Sequence, residues 1–215
     1  GSPAALYLAA AGVGRILLAD HDTVDATNLQ RQILHRDERI GQLKAESGRR
    51  SMLDMNPGIV VEPIVARLDD AALLELAARA QVVLDCCDNF ATRHAINRAC
   101  TALGVPLVSG AAIRFDGQLA VFDTRRADSP CYQCLFPESQ EADEVRCATM
   151  GVFAPLTGII GTMQAAEALK LAGGFGTPAV GRLLLLDAGT MHWHSVAVPR
   201  DPECPVCAHR PGTGR

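Results

Sequence analysis

The sequence lacks the features that mark membrane proteins, secreted proteins and nucleic-acid-binding proteins. No apolar stretch reaches the ~20 residues that a helix needs to cross a bilayer, and the first residues show no basic segment of a signal peptide. Basic residues form no long run, and 20 Lys and Arg against 24 Asp and Glu give a net charge of −4. We therefore expect a cytoplasmic protein that binds neither membrane nor nucleic acid.

A P-loop, an internal repeat and a low-complexity tract are also missing. Without a G-x-x-x-x-G-K-[ST] motif, any phosphate binding would have to use another arrangement. The 215 residues are 48% hydrophobic and only 20% charged, so we expect disorder only locally. This length and composition predict one large domain with a substantial core.

Apolar runs alternate with helical patterns along the first half of the chain. Strands are predicted at 15–19, 59–65, 82–84 and 106–109, and helices at 3–11, 44–55, 69–80 and 89–103. Sustained alternation predicts an α/β fold with a doubly wound, Rossmann-like and mostly parallel sheet. The pattern opens on a helix, so it corresponds to a dinucleotide-fold βαβ unit without its first strand.

Beyond Ile113 the alternation gives way to a different pattern. We expect a strand at 119–122 to be antiparallel or at an edge, because it follows an Asp116-Gly117 turn. A helix at 163–172, which begins near Pro155, and strands at 182–186 and 193–198 come next. These elements predict a C-terminal antiparallel extension. Residues 124–150 lie between the strands and this helix, and their low periodicity and many charges are typical of a functional or mobile loop.

Four of the eight cysteines form two Cys-x-x-Cys pairs, Cys131 with Cys134 and Cys204 with Cys207. Four soft ligands satisfy tetrahedral zinc and leave no open position, so the pattern predicts a structural zinc site that joins the loop to the C-terminal segment. Four reduced buried cysteines, or two disulfides, are the alternatives. Cys86, Cys87 and Cys100 have the character of core residues.

Acidic residues follow two of the predicted strands. Asp88 comes after the strand at 82–84, where a carboxylate could hold a metal ion over a nucleotide, although Asp88 or Asn89 could simply cap the next helix. Asp20 ends the strand at 15–19, about 20 positions after Gly1, which suits a ribose-binding carboxylate. A turn formed with Asp22 is the alternative for Asp20.

Two cations and a cysteine complete the candidate residues. Arg31 and Lys44 follow the strand that ends at Asp20, where they could hold a triphosphate, although most such side chains are merely solvated. Cys147 lies in the polar loop beside Arg146, a setting that favours a reactive thiolate. An incidental loop cysteine is the other interpretation of Cys147.

Together these motifs resemble the ThiF/MoeB/HesA adenylyltransferases, which are relatives of the ubiquitin-activating enzymes. The resemblance covers nearly the whole chain. The motifs are Asp20-His21-Asp22-Thr23-Val24, Asn28-Leu29-Gln30-Arg31-Gln32, Gly41-Gln42-Leu43-Lys44, Asp85-Cys86-Cys87-Asp88-Asn89, the two cysteine pairs, and Cys147 before Gly151-Val152-Phe153-Ala154-Pro155.

The resemblance implies a reaction and its cofactors. The C-terminal glycine carboxylate of a ubiquitin-fold sulfur carrier ending in Gly-Gly would attack the α-phosphate of ATP, release pyrophosphate and form an acyl-adenylate. Carried over by position, the implied roles are ATP contact for Gly1, ribose binding for Asp20, support of the phosphate site for Asn28, phosphate binding for Arg31 and Lys44, Mg²⁺ binding for Asp88 and sulfur transfer for Cys147. Of the family's G-x-G-G-x-G loop, only Gly1 has a counterpart here.

The resemblance also implies an organisation and partners. It divides one continuous domain into a nucleotide-binding region (1–123), a crossover loop (124–150) and a C-terminal region that binds the carrier and zinc (151–215). A homodimer is implied, as is a sulfurtransferase or cysteine desulfurase that supplies sulfur.

Three questions stay open at the level of sequence. The carrier could be ThiS-like, for thiamine biosynthesis, or MoaD-like, for molybdopterin biosynthesis. An NAD-dependent oxidoreductase on the same fold would use Asp20 but would leave Arg31, Lys44 and Asp88 without a role. A non-catalytic module that binds a ubiquitin-like tail is the third reading.

Overall fold

The computed structural model describes residues 1–138 and 151–209 of the chain. Its helices are α1 (Ser2–Ala10), α2 (Lys44–Met55), α3 (Asp70–Ala78), α4 (Phe90–Leu103), α5 (Tyr132–Leu135) and α6 (Ala154–Gly173). Its strands are β1 (Arg15–Ala19), β2 (Val60–Ile64), β3 (Val83–Asp85), β4 (Leu107–Ile113), β5 (Asp116–Phe122), β6 (Arg182–Asp187) and β7 (His192–Ala197). None of the described helices is both long and apolar enough to cross a membrane.

The strands form parallel pairs at the start of the fold and antiparallel pairs after it. β1 runs parallel to β2, with Arg15 opposite Val60, and β3 runs parallel to β4. From β4 onward the order β4-β5-β6-β7 is antiparallel throughout. The α/β class with a C-terminal antiparallel extension is confirmed.

The hairpin between β4 and β5 differs from the expected one. Asp116 and Gly117 lie inside β5 rather than in a turn, and the chain reverses at Arg114 and Phe115, where Arg114 has a φ of 49°. β5 pairs on both sides and is therefore not an edge strand. Packing explains the glycine, because a Cβ at Gly117 would lie 2.7 Å from Cδ1 of Leu156.

Local signals place the helix ends. Asp69 accepts a hydrogen bond from the backbone N–H of Ala72 at 2.9 Å and so caps α3. Asn89 caps α4 through the N–H of Thr92 at 2.8 Å, and Gly104 ends that helix with a φ of 64°. α5 lies within the segment that was expected to be aperiodic.

Helices cover both faces of the antiparallel part of the sheet. On one face Val108, Leu119 and Val121 pack with Ala168 of α6. On the other face Leu107 and Phe122 pack with Ile96 of α4 and Tyr132 of α5. Successive residues of β4 and β5 alternate between these clusters, so the core lies on both sides of the sheet.

One buried side-chain amide, that of Gln164, joins helix α6 to β3 and β4. Nε2 of Gln164 donates to the backbone oxygens of Asp85 at 2.7 Å and Val108 at 3.2 Å. A Cβ at Gly110 would lie 2.4 Å from Cδ of Gln164, so the glycine makes room for the amide. These contacts bind α6 to the carboxyl end of β3 and to the first half of β4.

Candidate functional site

A chain of hydrogen bonds follows the carboxyl end of β1. The backbone N–H of Asp22 donates to Oδ1 of Asp20 at 3.0 Å, and Nζ of Lys44 donates to Oδ2 of Asp22 at 2.9 Å. The hydrogen bond from Lys44 lowers the pKa of Asp22, so the Asp22 carboxyl group is ionised at neutral pH. Asp20 and Lys44, which the sequence suggested separately, are thus connected through Asp22.

The loop after β1 orients a second cation. Asp25 accepts a hydrogen bond from the N–H of Thr27 at 2.7 Å and caps the short 3₁₀ helix Ala26–Asn28. Nη2 of Arg31 donates to Oδ1 of Asn28 at 2.6 Å, and its Nη1 donates to the backbone oxygen of Thr27 at 3.4 Å. Both acceptors are neutral, so they orient the guanidinium and leave its charge for an anion.

This loop is held on α2 by residues that the sequence did not single out. Arg39 is only 4% exposed and donates to the backbone oxygen of Ser47 at 3.0 Å and to Oγ of Ser51 at 2.7 Å. Nδ1 of His35 lies 3.0 Å from Oγ of Ser47, and burial lowers the pKa of His35. The imidazole therefore adds little charge beside Lys44 at neutral pH.

The loop after β3 carries Asp88 and meets the start of α1. A Cβ at Gly1 would lie 3.5 Å from Cβ of Cys86, so the N-terminus of α1 adjoins this loop. Asp88 is exposed, and Asn89 rather than Asp88 supplies the helix cap. The N-terminus of a helix has a partial positive charge and free N–H groups, and both favour the binding of an anion. Such an anion would lie beside Asp88 and beside any cation that Asp88 holds.

A buried arginine fixes the position of that loop. Nη1 of Arg93 donates to Oδ2 of Asp85 and to Oγ of Ser109, both at 3.1 Å. Its Nη2 donates to the backbone oxygens of Cys87 and, at 3.3 Å, Gly110. Asp85 is 1% exposed, and a carboxylate buried so fully needs such partners. No pattern in the sequence indicates that Arg93 and Asp85 form an ion pair.

The prediction that Cys86 belongs to the core is wrong. β3 ends at Asp85, which leaves Cys86 exposed in the loop, whereas Cys100 is buried and Cys87 is half-buried. Burial raises the pKa of Cys100 to about 12, so its thiol stays protonated at neutral pH. Cys147 lies outside the described residues.

The four paired cysteines form one cluster that could hold a metal ion. The Sγ atom of Cys131 lies 3.9 Å from Sγ of Cys134 and 3.7 Å from Sγ of Cys204. The Sγ atom of Cys134 lies 3.5 Å from Sγ of Cys207. A tetrahedral zinc with Zn–S bonds of about 2.3 Å needs S–S edges of about 3.8 Å, so the spacing fits. A disulfide bond has an S–S distance of about 2.05 Å, so the alternative of two disulfides is wrong.

Within the described residues, the candidate site consists of two groups. Asp20, Lys44, Asn28 and Arg31 follow β1, and Gly1 and the loop with Asp88 adjoin the end of β3. In residues 1–138 and 151–209 no hydrogen bond or ion pair joins one group to the other.

An apolar surface lies at the β4–β5 hairpin. Phe115 is 52% exposed and Phe153 is 40% exposed, and their ring centroids are 5.2 Å apart. The N–H of Phe153 donates to the backbone oxygen of Arg114 at 2.8 Å, which fixes the start of α6 against the hairpin. We call Phe115 and Phe153 the aromatic corner. A shallow depression lies beside it, lined by Ala111, Ile113, Asp116, Gly117, Gln118 and Leu185.

Comparison with known proteins identifies similar chains. The ThiF family profile matches residues 1–206. The chain is 48% identical to the molybdopterin-synthase adenylyltransferase of Escherichia coli (strain K12), over 96% of this chain and 82% of the relative. It is also 48% identical to the sulfur carrier protein ThiS adenylyltransferase of the same strain, over 96% and 81%.

Among solved structures, E. coli MccB with ATP has the same fold. Its TM-score is 0.84 at 23% identity, over 96% of this chain and 63% of that chain. This chain therefore spans less than two thirds of the length of MccB, and the likeness extends to the fold alone.

Replacing Arg93 by Met should strongly destabilise the fold. The change leaves the buried Asp85 carboxylate unpaired, and breaking a buried ion pair in this way costs about 3–5 kcal/mol. Urea denaturation with linear extrapolation would measure the free energy of unfolding.

Arg98→Met is the matched control, because Arg98 lies on the same helix with its side chain 43% exposed in ion pairs with Asp70 and Glu138. Exposed pairs contribute about 1 kcal/mol or less. Equal losses in the two variants would contradict the structural role assigned to Arg93.

Proposed function

Because the chain belongs to the ThiF family, we propose that it is an adenylyltransferase that uses ATP to activate the C-terminal glycine carboxylate of a sulfur carrier protein. The observation that carries this proposal is the presence of two oriented cations in the segment that follows β1. Lys44 is linked to Asp20 through Asp22, and Arg31 is held by Asn28. An NAD-dependent oxidoreductase would have no use for these cations.

The proposed reaction joins two anions and therefore depends on positive charge. A carboxylate oxygen of the carrier attacks the α-phosphorus of ATP, the bond to the bridging oxygen breaks, and pyrophosphate leaves with that electron pair. Arg31 and Lys44 would stabilise the charge on the phosphates, and Asn28 would keep Arg31 oriented. Asp20 would bind the ribose hydroxyls, and the helix start at Gly1 would face the phosphates.

We assign Mg²⁺ binding to Asp88. Its carboxylate is exposed after β3, and Asn89 carries out the capping of α4. An oxygen ligand suits a hard cation that also binds phosphates. When bound, Mg²⁺ would supply neutralising charge for the triphosphate, while Arg93 would hold the Asp88 loop in place.

The carrier is proposed to be a ubiquitin-fold protein that ends in Gly-Gly, and its docking region is proposed to be the C-terminal part of the chain. Phe153 of the aromatic corner belongs to this part, and the corner and its depression, which lies mainly on β4 and β5, offer an exposed apolar surface for such a partner. Two relatives with different carrier names are equally similar to this chain at 48%. Carriers of both the ThiS-like and the MoaD-like type therefore belong in the first assay.

Further elements of the proposal rest on the family resemblance. They are a homodimer, a sulfurtransferase or cysteine desulfurase as the sulfur source, and a cytoplasmic location. The division into regions 1–123, 124–150 and 151–215 is likewise part of the proposal.

Exchange of labelled pyrophosphate into ATP, in the presence of a purified carrier, tests the function. We expect exchange with one carrier type, and we expect Asp88→Asn to lower its rate by about 10²- to 10³-fold, as is common when a preorganised charge partner is removed. Asp69→Asn is the control, since it makes the same change at the cap of α3, where Asn also caps well.

Two results of this assay would count against the proposal. No exchange with any carrier in the wild-type chain would favour a non-catalytic tail-binding module. A near-normal rate in a folded Asp88→Asn variant would contradict the magnesium role.

We propose that the cysteine cluster holds one structural zinc ion per chain. The spacing of its sulfurs supports this, and structural zinc contributes about 10 kcal/mol of apparent binding free energy, which becomes folding free energy. Cys204→Ser should lower both the zinc content and the melting temperature, whereas Cys100→Ala, a buried thiol outside the cluster, should retain zinc. A wild-type chain without zinc by elemental analysis would exclude this site.

Cys147 is proposed to act after adenylation. An acyl-adenylate is already activated and forms without an enzyme nucleophile, so Cys147 would act in a later step. Its thiolate would attack the acyl carbon, AMP would leave, and an enzyme–carrier thioester would form. Cys147→Ser should keep pyrophosphate exchange but lose any covalent enzyme–carrier species on non-reducing gels. Unchanged sulfur transfer in this variant would contradict the role and favour a MoaD-like carrier.

A further inference from the structure

Asp22 has no place in the reaction described above, yet it contacts two proposed ATP-binding residues. Its backbone N–H bonds to Asp20, and its carboxylate bonds to Lys44. We propose that Asp22 is a positioning residue, which holds the Lys44 ammonium at the place where the phosphates of ATP bind. This inference rests on the proposed function and concerns how one of its cations is prepared.

The backbone holds Asp22 and Lys44 together at both ends of their contact. The N–H of Lys44, the first residue of α2, donates to the backbone oxygen of Asp22 at 2.8 Å. The neighbouring residues Thr23 and Leu43 form an antiparallel bridge. The loop after β1 and the start of α2 are therefore fixed to each other before the side chains meet.

Burial explains why the lysine needs a partner. The Lys44 side chain is 9% exposed, whereas that of Asp22 is 56% exposed. A buried ammonium without a partner is costly because it loses its hydration, and holding a lysine side chain in one position also costs rotamer entropy. Asp22 supplies one charged acceptor to the ammonium and keeps contact with solvent itself.

One contact with Asp22 leaves the ammonium able to bind phosphate. A lysine ammonium has three N–H donors, and the structure gives one of them to Asp22. The part of the chain that the structure describes gives Nζ no other acceptor, so two donors remain for oxygens of a bound phosphate. The ion pair therefore orients Lys44 without consuming its capacity to donate.

The negative charge of Asp22 makes it possible to distinguish a positioning role from electrostatic attraction of ATP. Asp22 is negative and repels ATP, so its removal should not weaken ATP binding by loss of charge attraction. If its contribution is to fix Lys44, its removal should lower kcat while the KM for ATP stays unchanged or falls. A misplacement of about 1 Å can cost about 10²-fold in rate.

The test measures ATP–pyrophosphate exchange with the full chain and its carrier. We expect Asp22→Ala to lower kcat by about 10²-fold with no rise in the KM for ATP. Asp22→Asn keeps an acceptor oxygen and should recover part of that loss. Glu46→Gln makes the same change in net charge in the exposed first turn of α2 and should retain the wild-type kcat.

A double-mutant comparison decides whether Asp22 acts through Lys44. In a Lys44→Ala background, Asp22→Ala should cause little further loss, because residues that act as one unit are not additive. Equal factors for Asp22→Ala in both backgrounds would overturn the proposal, as would a kcat within twofold of wild type. If Asp22→Ala does not fold, the same comparison with Asp22→Asn decides.

Failure of this inference is distinguishable from failure of the proposed function. Absence of exchange in the wild-type chain with every carrier contradicts the function and the positioning role together. Exchange in the wild-type chain that is insensitive to Asp22 contradicts the positioning role alone.

Discussion

The arrangement of the fold around the end of β3 depends on one buried carboxylate. Asp85 is 1% exposed, and Arg93 and Ser109 both bond its Oδ2. Because the same guanidinium also binds the backbone oxygens of Cys87 and Gly110, it joins α4, β4 and the loop after β3. Because the buried carboxylate needs a charged partner, Arg93 is held beside it, and the contact of Arg93 with Cys87 fixes the position of the loop after β3.

The two groups of the candidate site are stabilised in opposite ways. After β3 the fixing residues are buried, and the candidate ligand Asp88 is exposed. After β1 the cation Lys44 is buried, and its partner Asp22 is exposed. In both groups a residue that is proposed to bind ATP or its metal ion is held in place by a residue that is not. Such preorganisation lowers the reorganisation needed when charge develops on the phosphates.

Local signals predicted the elements that depend on local chemistry. β1 and α2 have the predicted bounds, and the caps at Asp69 and Asn89 lie at the start of their helices. The prediction of a turn at Asp116-Gly117 was wrong because this glycine is required by tertiary packing, in which the side chain of Leu156 comes close to Gly117. Cys86 was misplaced because the prediction rested on the apolar character of a free cysteine, which does not show whether the residue lies in the core or in an exposed loop.

The candidate residues were predicted one by one, but their contacts were not. Asp20, Asn28, Arg31 and Lys44 could be named from residue type and position, whereas the Asp22–Lys44 pair brings together residues 22 positions apart. Arg93 and Ser109 lie 16 positions apart and meet only because β4 runs beside β3. Such pairings depend on strand order, which no local pattern encodes.

The cysteine cluster adds a constraint on the C-terminal part that packing alone does not provide. It joins the segment around α5 to residues 204–207, so the described residues between them, 135–138 and 151–203, belong to a closed loop. Closing a loop costs chain entropy that grows only slowly with its length, so a single metal clip can restrain many residues. A metal ion in the cluster would also fix α5, whose Tyr132 packs against Phe122 of β5. When the cluster is broken, we therefore expect the protein to lose metal binding. The antiparallel sheet and the apolar face of α4 should lose order at the same time.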